Sequence, residues 1–87
     1  MRELEKEFIG IGEVKGHKFT QIYASKWGFI YEVDTGGRKY YEVFKRRLNH
    51  QYNIVSYPGS KSFGKWAWTI GSLEKAKQKL LSFEKQE

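Results

Sequence analysis

Residues 27–34 read WGFIYEVD, and this stretch decides the fold that the sequence predicts. An apolar side chain stands at every odd position, and glycine or a carboxylate stands at three of the four even positions. Alternation with a period of two is typical of a β-strand that buries one face. The sequence therefore predicts a strand here, with Trp27, Phe29, Tyr31 and Val33 on its buried face.

Short turns on either side of this strand predict two hairpins. Upstream, residues 8–14 and 18–24 flank KGH at 15–17, whose glycine can adopt the positive φ of a tight turn. Downstream, DTGG at 34–37 closes a second hairpin onto residues 38–45. Four consecutive strands joined in this way form an antiparallel meander.

The chain after residue 45 predicts one or two further strands. Residues 46–51 lose the alternation and gain charge, which indicates a loop or an irregular strand end. Residues 52–57 predict a strand, Pro58-Gly59 predicts a turn, and residues 66–70 alternate again.

A helix is predicted at the C-terminal end, over about residues 72–85. Ser72 is a suitable N-cap, and Glu74 in the first turn complements the helix dipole. The apolar residues that recur at steps of three and four are Leu73, Ala76, Leu80 and Phe83, with Leu81 beside them. This spacing predicts one apolar stripe that packs on a sheet.

The predicted fold is α+β: an antiparallel β-meander of five or six strands with one C-terminal amphipathic helix packed on one face. With 87 residues, the chain is expected to form a single small domain over 1–87, with its strands within 8–70. It contains no cysteine, and no apolar run approaches the roughly 18 residues that cross a bilayer. We expect a soluble, cytoplasmic protein without a membrane association, and composition leaves its oligomeric state open.

The net charge of +6 is concentrated in the middle of the chain. Residues 14–72 carry ten basic and three acidic side chains, whereas residues 1–13 carry two basic and four acidic ones. Such a bias favours polyanionic partners, although a basic surface also serves solubility.

Basic and aromatic residues alternate within this central region, as in proteins that bind phosphates by charge and unpaired bases by stacking. The candidate binding residues are Arg38, Lys39, Lys45, Arg46, Arg47, His50, Tyr52, Lys61 and Lys65. The tyrosines expected to be exposed for stacking are Tyr40 or Tyr41, Tyr52 and Tyr57. Most of the other aromatic side chains are needed for the core.

Motifs for other chemistry are incomplete. GSKSFGK at 59–65 is close to a phosphate-binding loop, but Trp66 stands where that loop needs a hydroxyl, and a strand pattern follows instead of a helix. His17 and His50 lie in separate predicted turns without further ligands at metal-binding spacing. We therefore expect no catalytic residues, no metal site and no cofactor.

The stretch FGKWAWTIGSLEKAKQKL at 63–80 resembles the end of WGR domains, which are small DNA-binding modules. The Trp-Gly-Arg signature of that family has no counterpart, because Phe29 follows Trp27-Gly28 and Ala67 follows Trp66. No functional residue is carried over from the resemblance.

Two functions remain after these exclusions. The first is non-catalytic binding of DNA or RNA through the basic and aromatic surface. The alternative is a protein-protein interaction or adaptor module that uses an exposed aromatic patch or a free sheet edge.

Overall fold

The computed structural model describes residues 3–10 and 15–84. Seven strands and one α-helix follow one another in these residues: β1 (Glu7–Ile9), β2 (Lys18–Ala24), β3 (Gly28–Asp34), β4 (Lys39–Lys45), β5 (Leu48–Asn49), β6 (Ile54–Val55), β7 (Ala67–Ile70) and α1 (Leu73–Glu84). Five strands form an antiparallel sheet in the order β1-β2-β3-β4-β7, and α1 packs on this sheet. The predicted α+β fold is confirmed.

The two predicted hairpins are present. β1 pairs with β2 and β3 pairs with β4, and the turns contain Gly16 at φ +84° and Gly36 at φ +97°. The Asp34 carboxylate accepts a hydrogen bond from the Gly36 backbone N–H at 2.8 Å, which fixes the second turn. Residues 11–14 of the first predicted strand lie outside the described residues.

β3 is buried on both faces, which corrects the prediction of one buried face. Phe29, Tyr31 and Val33 point into an aromatic cluster on one side, and Ile30 is fully buried against α1 on the other. The alternation places Trp27 on the face of Phe29, but Trp27 packs with Ile30 on the helix side. The two-sided burial follows from the position of β3 in the middle of the sheet, between β2 and β4.

α1 covers the helix side of β3, β4 and β7. Ala76, Leu80 and Phe83 are buried as predicted, whereas Leu81 is 53% exposed. The Ser72 side chain accepts a hydrogen bond from the Lys75 backbone N–H at 3.5 Å, in the predicted N-cap position. Residue 85, the predicted helix end, lies beyond the described part of the chain.

The opposite face of the sheet is covered by segments that precede β7. β5 and β6 form a separate two-stranded hairpin, and Val55 in β6 is buried in the aromatic cluster. The predicted strand over residues 52–57 is therefore shorter and does not join the main sheet. A short 3-10 helix (Ser60–Ser62) follows instead of a simple turn at Pro58-Gly59.

Candidate nucleic-acid interface

Three loop segments meet at the end of the sheet where β3 begins and β4 ends: the segment before β3, the segment after β4 and the segment before β7. The backbone N–H of Arg46 donates to the Trp27 carbonyl at 3.0 Å, and the N–H of Lys45 donates to the Trp66 carbonyl at 2.9 Å. These bonds bring together five basic residues, which we call the basic end: Lys26, Lys45, Arg46, Arg47 and Lys65. The predicted candidates Lys45, Arg46, Arg47 and Lys65 are thus neighbours at one end, but their side chains are divided between the two faces of the sheet.

On the helix side, two lysine ammonium groups lie over aromatic rings. Lys45 Nζ lies 5.6 Å from the centre of the Phe83 ring, and Lys26 Nζ lies 4.7 Å from the centre of the Trp27 ring. The attraction between a cation and the face of a ring holds each charge near the protein surface. Glu84, the last described residue of α1, follows Phe83 and is exposed.

Arg46 has a structural role on the opposite face. Its guanidinium lies 4.6 Å from the centre of the Phe29 ring and makes an ion pair with Glu3 at 2.7 Å. Its Nε also donates to the Ser25 carbonyl at 3.1 Å. Because these contacts occupy the guanidinium on several sides, Arg46 is less available to a phosphate than Arg47 is.

Arg47 has a different environment. Its side chain is exposed, and its guanidinium lies 5.2 Å from the centre of the Trp66 ring. The Arg47 carbonyl accepts a hydrogen bond from the Ser56 N–H at 2.8 Å, which fixes the backbone. Within residues 3–10 and 15–84, no carboxylate forms an ion pair with Arg47 or with the exposed Lys65 beside Trp66.

Arg38 and Lys39 lie at the other end of β4. Lys39 and Lys45 are six residues apart on a strand, which corresponds to about 20 Å. Both Arg38 and Lys39 are exposed, and Lys39 makes an ion pair with Glu32 at 3.7 Å. The structure does not bring these two candidates to the basic end.

The remaining candidates lie on the segments that cover the aromatic face. His50 and Tyr52 are exposed in the turn between β5 and β6, where Tyr52 is 65% exposed. Lys61 is exposed in the short 3-10 helix. In the part of the chain that the structure describes, none of these three side chains forms an ion pair or a cation–ring contact with the basic end.

The stacking residue predicted at Tyr57 is wrong, because this ring belongs to the core. It packs in T-shaped contacts with Phe8, Phe19 and Tyr31. Tyr40 and Tyr41 are half-buried and also pack against the two core clusters.

Two half-buried indole rings lie at the basic end: Trp27 on the helix side, and Trp66, which makes a T-shaped contact with Phe44, on the aromatic side. Lys26 is not among the residues predicted from the sequence. A signal for it exists there, because the dipeptide Lys-Trp occurs at 26–27 and again at 65–66. Both copies precede a strand of the main sheet, and both lie at the basic end.

The core also contains a polar pair. Glu42 lies in β4 directly opposite Tyr31 in β3, is 7% exposed and accepts a hydrogen bond from the Tyr57 hydroxyl. Burial raises the pKa of the Glu42 carboxyl, while the Tyr57 hydrogen bond and the charge of His17 act in the opposite direction. Burial also raises the pKa of Tyr57, and the neighbouring carboxylate raises it further, so Tyr57 remains a hydrogen-bond donor.

In the described ranges, no three histidine or acidic side chains are grouped as a metal site would need, and no helix there has the length and apolar character to span a membrane. No family model, curated protein or solved structure matches this chain. The fold and the site define the class of protein: a small α+β domain with a cationic sheet end.

Proposed function

We propose that this protein is a non-catalytic nucleic-acid-binding domain that contacts phosphates through the basic end. The observation that carries the proposal is the convergence of Lys26, Lys45, Arg47 and Lys65 at the end of β4 and in the loops beside it. Two of these residues, Arg47 and Lys65, are exposed and form no ion pair with a carboxylate of the described residues. A cytoplasmic place of action is part of the proposal, and a chain without cysteine is compatible with that reducing compartment.

The mechanism is charge neutralisation. Lysine and arginine side chains that contact phosphates release condensed counterions, so the affinity falls steeply as salt is raised. The aromatic rings beneath the cations keep the long side chains ordered before binding, which lowers the entropy lost on contact. Because the phosphates are the ligand, the proposal requires no particular base sequence.

The test measures the affinity of the full chain for fluorescent single- and double-stranded DNA and RNA at several salt concentrations. The variant Arg47→Glu/Lys65→Glu is expected to weaken binding to every probe and to lower the salt slope by about 2, since each phosphate contact contributes about 1. Lys75→Glu/Lys77→Glu is the matched control, because both lysines are exposed on the outer face of α1. Absence of binding at low salt, or equal weakening by the control variant, contradicts the proposal.

A second candidate function, protein interaction, is favoured by exposed apolar side chains on β2. Ile22 and Tyr23 are 39% and 50% exposed beside an irregularity in the pairing with β3. An adaptor would lose its partner in the variant Ile22→Lys/Tyr23→Thr and keep it in Arg47→Glu/Lys65→Glu. The opposite pattern is expected of the nucleic-acid-binding domain.

A further inference from the structure

We infer that the basic end recognises unpaired bases, with the Arg47 guanidinium as the surface on which a base stacks. This inference rests on the proposed function and names the ligand class: single-stranded DNA or RNA. It replaces the tyrosine stacking that the sequence predicts by a stack in which Trp66 supports Arg47 and Arg47 supports the base.

The first step is the geometry of the pair. Trp66 is held in place by its T-shaped contact with Phe44, at 6.3 Å between ring centres, and its carbonyl accepts a hydrogen bond from the Lys45 N–H. The guanidinium of Arg47 lies 5.2 Å from the centre of this ring. The ring is thus a fixed support, and the planar cation above it is positioned by the ring.

The second step is what remains free on Arg47. Its side chain is exposed, and within the described chain its one side-chain contact of this kind is with Trp66. A guanidinium is planar, stacks on aromatic faces and offers donors at its rim. Single-stranded nucleic acid is recognised by unstacked bases placed on aromatic rings or on arginine planes. The exposed guanidinium of Arg47 has the chemistry for such a base.

Arg46 shows what an arginine without this function looks like in the same structure. Its guanidinium also lies over a ring, Phe29, but an ion pair with Glu3 and a hydrogen bond to Ser25 hold it within the fold. Of these two adjacent arginines, Arg46 therefore stabilises the fold, whereas Arg47 presents an exposed guanidinium.

The third step is the charge around this plane. Lys65 precedes Trp66 in the chain and is exposed, so its ammonium is available for the phosphate that adjoins the stacked base. A base in a duplex has both faces covered by its neighbours, whereas a base in a single strand can leave the stack at small cost. The combination of one plane and one flanking cation fits a flexible strand.

The experiment compares two probes of the same charge. One is an oligothymidylate of about 12 nucleotides, a length within the site sizes of small single-strand-binding domains, and the other has abasic sites at its central positions. The full wild-type chain is expected to bind the intact probe at least about 5-fold more tightly than the abasic probe, since stacking contributes about 1 to 3 kcal/mol per base. The ribose form of the intact probe and a duplex of the same length distinguish RNA from DNA and single from double strands.

Two variants separate stacking from charge. Arg47→Lys keeps the charge and removes the plane, so it is expected to bind the abasic probe as the wild type does and to lose the preference for the intact probe. Lys65→Gln removes a charge, and we expect it to weaken binding to both probes equally. The preference for the intact probe over the abasic probe is then retained. Thermal unfolding of each variant shows that it is folded.

The outcomes are distinct from those that test the proposed function. Equal affinity of the wild-type chain for the intact and abasic probes overturns the stacking inference and leaves phosphate binding standing. Tighter binding to the duplex than to the single strand overturns it as well, as does a full preference in Arg47→Lys. Absence of binding to all probes overturns the proposed function and the inference together.

Discussion

Gly28 lies where the backbone of β4 and the side chain of Leu80 in α1 leave no room for a Cβ. A Cβ at this position would collide with the Phe44 carbonyl oxygen and would lie 3.2 Å from Leu80 Cδ1. We expect Gly28→Ala to lower the free energy of unfolding by about 1 to 3 kcal/mol, because the carbonyl belongs to the backbone of β4 and cannot move aside.

Urea unfolding of Gly28→Ala and of a glycine control measures this effect. A Cβ added at Gly37 would meet no atom within 4 Å, and the φ of Gly37 is not positive, so Gly37→Ala is expected to stay within about 0.5 kcal/mol of the wild type. Similar losses in both variants would show that the close approach at Gly28 is not the cause.

The buried carboxyl of Glu42 makes stability depend on pH. Its pKa is raised by burial above the ordinary value of 4.5, so the folded state binds the proton more tightly than the unfolded state does. The contribution of this tighter proton binding to the free energy of unfolding is fully present below pH 4.5, and it is lost as the pH rises through the pKa of Glu42 in the folded state. We expect Glu42→Gln to remove this loss, so that its stability relative to wild type increases with pH in urea unfolding at acidic and neutral pH.

The Tyr57 hydroxyl gives a companion test of the same pair. Tyr57→Phe leaves the Glu42 carboxyl without the donor that it uses in the wild type, and we expect a loss of about 1 to 3 kcal/mol at neutral pH. The loss should be smaller at acidic pH, where the carboxyl is neutral. An equal loss at both pH values would show that packing of the ring, and not the hydrogen bond, is affected.

Among the elements, α1 offers a matched pair of leucines. Leu80 is 4% exposed and packs with Ile30 and Val43, whereas Leu81 is 53% exposed. Leu80→Ala is expected to cost about 2 to 5 kcal/mol, and Leu81→Ala less than about 0.5 kcal/mol. Equal costs in denaturant unfolding would contradict the observed orientation of the helix.

Local sequence patterns predict the hairpins and the helix correctly, because turn residues and an N-cap mark where these elements begin and end. The hairpins around Gly16 and Gly36 and the helix after Ser72 follow from turn and cap chemistry, which acts over a few residues. The segment 52–57 is predicted as a strand, but within it Ile54 and Val55 pair with β5, and a partner of this kind is set by tertiary contacts. The prediction for Tyr57 is wrong because the rings that cover it, those of Phe8 and Phe19, are distant from it in the sequence.

The candidate site is predicted only in part for a similar reason. Lys45, Arg47 and Lys65 are brought together by backbone hydrogen bonds between β4 and the neighbouring loops, and the sequence places them in a basic region without showing which are neighbours. Arg46 could not be distinguished from Arg47, because its partner Glu3 is 43 residues away in the chain. Arg38 and Lys39 are separated from Lys45, because Lys39 and Lys45 stand at opposite ends of β4.

At the scale of the whole molecule, the main sheet separates two hydrophobic clusters, one on each of its faces. An aromatic cluster that contains Phe29, Tyr31 and Phe44 lies on one side, and a cluster that contains Ile30 and Leu80 lies on the other. The two clusters share strands β3 and β4, and a domain of this size buries only about 60 to 65% of its unfolded surface. Both are expected to form and to be lost together.

Tryptophan fluorescence can test whether the two clusters unfold together, because the three tryptophans are divided between them. Trp66 belongs to the aromatic side, and Trp27 and Trp68 belong to the helix side. Versions of the chain that keep either Trp66 or Trp68 as their only indole, with phenylalanine at the other two positions, would report on one side at a time. We expect the fluorescence midpoint of each version to coincide with its own circular dichroism midpoint. The protein thus carries a separate optical reporter on each side of its sheet.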